Sequence, residues 1–346
     1  MNRFSALGLF SALVVSSAIA CSSDSDSGGK PGSGGSGGGA GTSACKPTAD
    51  ACYVAGPSGP GNECLARADY SGADKTALRV ASHQVKSPTT LAAPFMQDAI
   101  ITQKSALFEP ECNQLGTGQF NLLMQLDEST KELTVSGGVP QKLVGSAKDG
   151  SCFVKVTDPN SGLKVEPVTG TYAVGADGKF EATLPLFVMP IYLEDKADLD
   201  SVVLMPLHEM KVTGTLSADK NCVGRYADER VNAGLQCQAN ESEFSWDPAG
   251  TYEGYITVEE ADEVFVFSLG QTLCVVMTGD PKKWEGPKPD SNCATSQGFQ
   301  DSGALPKGDW CSTTNSAGGC QDSWRVVIDF AAHAVKIGGE YGNGCP

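Results

Sequence analysis

The chain has 346 residues, with 41 acidic against 25 basic side chains, 13 cysteines and only three histidines, for a formal net charge of −16. A nucleic-acid footprint needs clustered Lys and Arg, and a spanning helix needs about 20 consecutive apolar residues. The composition supplies neither, so DNA- or RNA-binding domains and transmembrane bundles are both disfavoured.

Residues 1–20 follow secretory grammar: Arg3, an apolar stretch from Phe4 to Val15, then Ser16-Ser17-Ala18-Ile19-Ala20. The stretch has the length of a signal-peptide core, roughly 7–15 residues, and is too short to cross a bilayer. Residues 1–20 are therefore expected to be removed. Ala18-Ile19-Ala20 is an A-x-A cleavage pattern. With Cys21 it also resembles the lipobox of bacterial lipoproteins, with Ala18 where that motif usually has Leu. The resemblance implies lipidation of Cys21 and a membrane anchor through it, and Ser22 in the next position implies the outer membrane; plain secretion is the alternative. Residues 22–44 hold 9 Gly and 7 Ser, a flexible tether with an r.m.s. reach of roughly 25 Å.

From residue 45 onward the apolar pattern has mostly period two, the signature of half-buried antiparallel strands. Phe120, Leu122, Met124 and Leu126 alternate with polar neighbours, and Leu133 and Val135 return after a polar turn at 128–131. Thr171–Val174 and Phe180–Leu184 flank Asp177-Gly178, a strong hairpin signal. Met210, Val212 and Leu216 form another strand, and Trp324, Val326, Ile328 and Phe330 lead a last one, with Val335 and Ile337 expected to return as its hairpin partner. Residues 120–138 and 324–339 thus echo each other, which hairpin grammar alone can produce. One helix is expected after Thr257-Val-Glu-Glu260, whose spacing is that of a capping box, with Gly270 as its end; Val264–Phe267 reads instead as strand. The expected fold is mainly β, antiparallel sandwich- or barrel-like sheets in two fused subdomains, 45–218 and 219–346, rich in disulfides and with at most one or two short helices.

Setting Cys21 aside leaves twelve cysteines, at 45, 52, 64, 112, 152, 222, 237, 274, 293, 311, 320 and 345. None forms a C-x-x-C, so disulfides are expected in place of zinc or redox chemistry. An even set can pair completely, so Cys152 and Cys345 are expected in bridges with the rest, whereas thirteen would leave one thiol over. Cys45–Cys52, Cys222–Cys237, Cys274–Cys293 and Cys311–Cys320 are the short-range candidates. Five of the twelve precede residue 218 and seven follow it, so complete pairing requires a bridge across that boundary.

Little in the sequence points to catalysis. His83, His208 and His333 have no ligand spacing, and no metal site or cofactor is expected. The acidic stretches Glu194-Asp195…Asp198…Asp200 and Glu259–Glu263 read as solvated faces, and Asp158-Pro-Asn160-Ser-Gly162 begins like a calcium loop without continuing as one. Trp284, in a loop rich in Pro, Lys and Gly, is the leading candidate for an exposed ligand contact. The body resembles Cys-rich bacterial lipoproteins of uncharacterised role. The expected function is a lipid-anchored, non-catalytic envelope module that binds an extracellular polymer or protein partner. A secreted or surface hydrolase with a dispersed carboxylate pair is the alternative, and a purely structural envelope protein a third reading.

Overall fold

The computed structural model describes residues 45–48, 52–54, 61–140, 150–159, 161–175, 177–194, 202–240, 243–315, 320–341 and 344–345. The signal segment, Cys21, the tether and the acidic run at 195–200 lie outside the described residues. Eight long strands organise the rest: β1 (Lys75–Ser87), β2 (Leu122–Asp127), β3 (Glu132–Gly137), β4 (Val168–Val174), β5 (Lys179–Tyr192), β6 (Val202–Thr215), β7 (Gly250–Thr257) and β8 (Ser323–Ala334). Each pairs antiparallel with the next in the chain, and β8 pairs antiparallel with β1, so the sheet closes into an up-and-down barrel. The short strand Cys222–Val223 extends it by pairing with the end of β8. The mainly β, antiparallel expectation is met. Strands from both sides of residue 218 belong to this one barrel.

Alternation explains the filling. Leu122, Met124 and Leu126 on β2, Leu133 and Val135 on β3, Phe180, Ala182 and Leu184 on β5, and Val326, Ile328 and Phe330 on β8 all enter a single buried cluster. Eight strands enclose a space just wide enough for side chains to fill. One cross-strand row regulates it: Phe180, Gly214, Gly250, Phe330 and His83 are successive partners on β5, β6, β7, β8 and β1. The two phenyl rings take the space that side chains at the two glycines would occupy. His83 then stacks on Phe120 with ring centroids 3.9 Å apart.

The expected helix forms over Val258–Glu263 with its capping box complete. It stops at Val264, because Phe265–Val266 is a strand, and Gly270 ends a separate short turn, Phe267–Leu269. The expected hairpin return after β8 is corrected. Val335 continues beyond the strand, and Ile337–Tyr341 pairs in parallel with Ser151–Phe153. The echo between 120–138 and 324–339 therefore ends in different partners.

Of the disulfide candidates, Cys274–Cys293 and Cys311–Cys320 are bridged. Cys45–Cys52 and Cys222–Cys237 are not, because the chain joins Cys45 to Cys237, Cys52 to Cys112 and Cys64 to Cys222. Two of these bridges cross residue 218, where complete pairing requires at least one. They tie the segment preceding β1 to the insertion between β6 and β7. Cys152, buried in the short strand Ser151–Phe153, is disulfide-bonded as well. The backbone of Cys345 pairs in parallel with Tyr341 in the strand Gly344–Cys345. The bridge expected of Cys345 rests on a side chain that lies outside the described residues. Bridges closing loops as long as Cys45–Cys237 and Cys64–Cys222 each contribute about 5 kcal/mol in the chain-entropy model.

Replacing Gly250 with Val should place a branched side chain against the Phe330 ring and destabilise the barrel by about 1–3 kcal/mol. Urea unfolding of the variant against wild type measures it, with a midpoint shift at unchanged m-value expected.

Candidate binding groove

The outward face of β6 presents Val202, Leu204 and Pro206 as the floor of a groove of about 670 Å³. One wall is the turn between the short strands Val156–Thr157 and Lys164–Val165, which contributes Asp158, Ser161 and Leu163. The other is the Val258–Glu263 helix with the strand and turn after it, contributing Glu260, Glu263, Val264, Phe265 and Phe267. Phe265 and Phe267 meet edge to face at 5.1 Å, and Phe267 is 55 % exposed.

Asp158 is spent on its own turn. Its carboxylate accepts from the Ser161 amide at 3.2 Å and the Ser161 hydroxyl at 2.5 Å, and Gly162 N–H donates back to the Asp158 carbonyl. This is the self-closing geometry of Asx residues, and it accounts for a segment that begins like a calcium loop.

Glu260 has two tasks. One carboxylate oxygen accepts from the Thr257 amide at 3.1 Å, while the Thr257 hydroxyl accepts from the Glu260 amide, satisfying donors at the helix start. The other oxygen lies 2.7 Å from His208 Nε2. His208 reaches it from a bulge in β6, where the register with β7 shifts between His208 and Lys211 and Glu209 takes a left-handed φ of 49°. Its ring stacks on Tyr255, its cross-strand partner, at 5.2 Å. Tyr255 OH bonds the Thr313 hydroxyl, which donates to Glu209. The helix beside the groove is thus stapled to the barrel through His208.

The staple polarises both partners. The Glu260 hydrogen bond, opposed by burial, raises the His208 pKa. Burial alone would push Glu260 up, but hydrogen bonds from His208 and Thr257 hold it below its usual value. Sequence reasoning identified Glu260 as a cap and left His208 without a partner, because the two lie 52 residues apart.

Trp284 is not an exposed contact. It ends the short helix Pro281–Trp284, is 8 % exposed and belongs to the main core cluster. The Cys274–Cys293 bridge spans its loop, and Trp284 packs against Gly298 with Lys283 over its ring at 5.1 Å. Trp310 is the exposed indole, with the Arg325 guanidinium 5.2 Å from its ring centre. Trp324 is buried at the head of β8. His83 and His333 are also buried, and burial followed by the nearby Arg79 holds both rings well below their ordinary pKa.

Among the described residues, two clusters have metal-like composition, Asp262 with Cys274 and Cys293, and Asp322 with Cys311 and Cys320. In both the sulfurs are spent on disulfides. Asp262 accepts from Thr272 Oγ1 and from the Cys293 and Ala294 amides. Asp322 accepts from Ser312 and Asn315, which against the opposing effect of burial hold it at about 2. Both acids organise loops. No helix among the described residues is long and apolar enough to cross a membrane.

The His208 staple has a defined pH window. A raised folded-state pKa means that its contribution is complete below the unfolded value of about 6.5 and is lost as pH rises through the folded value. The depressed Glu260 contributes fully above about 4.3 and is lost as pH falls through its own folded value. The stability difference between wild type and His208→Gln should therefore be greatest between about pH 4.5 and 6.5, read from denaturation at a series of pH values; a flat difference contradicts the staple. No family model, curated protein or solved structure matches the chain.

Proposed function

We propose that this protein is an exported lipoprotein of the cell envelope, held at the outer membrane by lipid on Cys21, whose barrel is a non-catalytic module that binds a compact ligand with an apolar face. The observation that carries this reading is the disulfide network. All eleven cysteines after residue 44 whose side chains the structure describes, Cys152 among them, are bridged, and such bonds persist in oxidising compartments outside the cytosol. The 24 residues 21–44 then link the anchor to the folded body.

The groove supports binding over hydrolysis. Its volume falls within the roughly 300–1,000 Å³ of small-molecule sites, and apolar side chains line most of it. A glycosidase acid needs a carboxyl kept protonated near neutral pH, whereas Glu260 is shifted the opposite way, with both oxygens engaged. Burial of Trp284 moves the aromatic contact to Phe267, at the groove edge.

Metabolic labelling with palmitate tests the anchor. Wild type should carry label and fractionate with the outer membrane, and Cys21→Ser should lose both; label retained in the mutant, or absent from wild type, rejects lipidation. Nile red titration tests the groove. Saturable fluorescence should weaken about 5- to 10-fold in Phe267→Ala, an exposed position whose removal leaves the core intact. Unchanged binding in that variant places the dye elsewhere.

A further inference from the structure

The outer face of β1 buries a cation that forms an ion pair with no carboxylate among the described residues. Arg79 is 1 % exposed. Its Nη2 donates to the Ser105 carbonyl at 2.7 Å, while Nε and Nη1 have no hydrogen-bond partner. Arg67, also buried, pairs with Glu109, the buried acid whose field reaches Arg79. Glu109 is thus the buried carboxylate whose field reaches both guanidinium groups. Glu111, which also acts on Arg67, is exposed.

The neighbouring polar groups add no negative charge. His333 stands opposite Arg79 in the β1–β8 register and bonds the Cys64 carbonyl through Nδ1 at 3.2 Å, leaving Nε2 unpartnered. His83 bonds the Ser105 hydroxyl, which itself donates to the Ile101 carbonyl. Gln114, registered against Glu109, has a buried and unpartnered Nε2, a further donor on the same covering segment. Burial lowers the Arg79 pKa only to about 9, so it stays cationic at neutral pH. A buried cation with idle donors is strongly disfavoured unless a counter-charge accompanies it. Water can satisfy donors but leaves the charge.

We propose that the guanidinium of Arg79, beneath the covering segments 64–68 and 103–115, binds a small monovalent anion of chloride size as a structural ligand. The anion accepts from Arg79 Nε and Nη1 and places a negative charge against the guanidinium. It couples those two segments to the barrel, so occupancy stabilises the folded chain by mass action.

Bromide is the probe. Crystals grown in sodium bromide should give an anomalous peak within hydrogen-bond reach of Arg79 Nε or Nη1. Thermal unfolding in chloride should lie about 3 °C above that in gluconate at matched ionic strength, and Arg79→Met should melt at the same temperature in both. A peak beside Arg79 in wild type together with the chloride-dependent melt supports the site even if the Met variant fails to fold. A water or no peak beside Arg79, superimposable wild-type melts in the two salts, or an anion dependence that survives in Arg79→Met overturns it.

Discussion

The pairing of β1 with β8 brings the first and last long strands into register from Leu78 opposite Ala334 to Ser87 opposite Val327. Without it the sheet would carry two rows of unpaired amides and carbonyls, and only closure removes both edges. The same pairing sets the interior width. It places Phe330 beside His83 and completes the row in which two glycines make room for two phenyl rings. It also buries Arg79 opposite His333.

Because an up-and-down barrel needs only short turns between strands, the long insertions are free to do other work. Those at 88–121 and 216–240 are fastened by bridges to the segment before β1. Between β3 and β4, Asp158, Ser161 and Leu163 raise one wall of the groove over β6, and after β7 residues 260–267 raise the other. Covering a barrel face in this way brings polar groups into the interior. Arg67, Arg79, Glu109, His83 and His333 are the result, and their hydrogen bonds hold the covering segments in place.

The bulge in β6 shows how a local irregularity positions a site. Inserting residues at His208 and Glu209 keeps Leu207 and Met210 in the core while His208 stays on the outer surface within reach of Glu260. The helix carrying Glu260 is short and could not be stable alone. Its capping box fixes its start, and the His208 contact fixes where it lies.

The sequence by itself determined the local elements, because period-two alternation, Asp177-Gly178 and the Thr257–Glu260 capping box act over a few residues and need no distant partner. Cysteine parity went further and, for complete pairing, required at least one bridge across residue 218. Only the tertiary structure decided the rest: closure of β1 on β8, the true partners of Cys45, Cys52, Cys64 and Cys222, and the course of the chain after Val335. It also decided that Trp284 is covered, where loop composition suggested exposure, and that His208 meets Glu260. Each of these depends on which surfaces meet after the chain closes, and no spacing along the sequence encodes that distance.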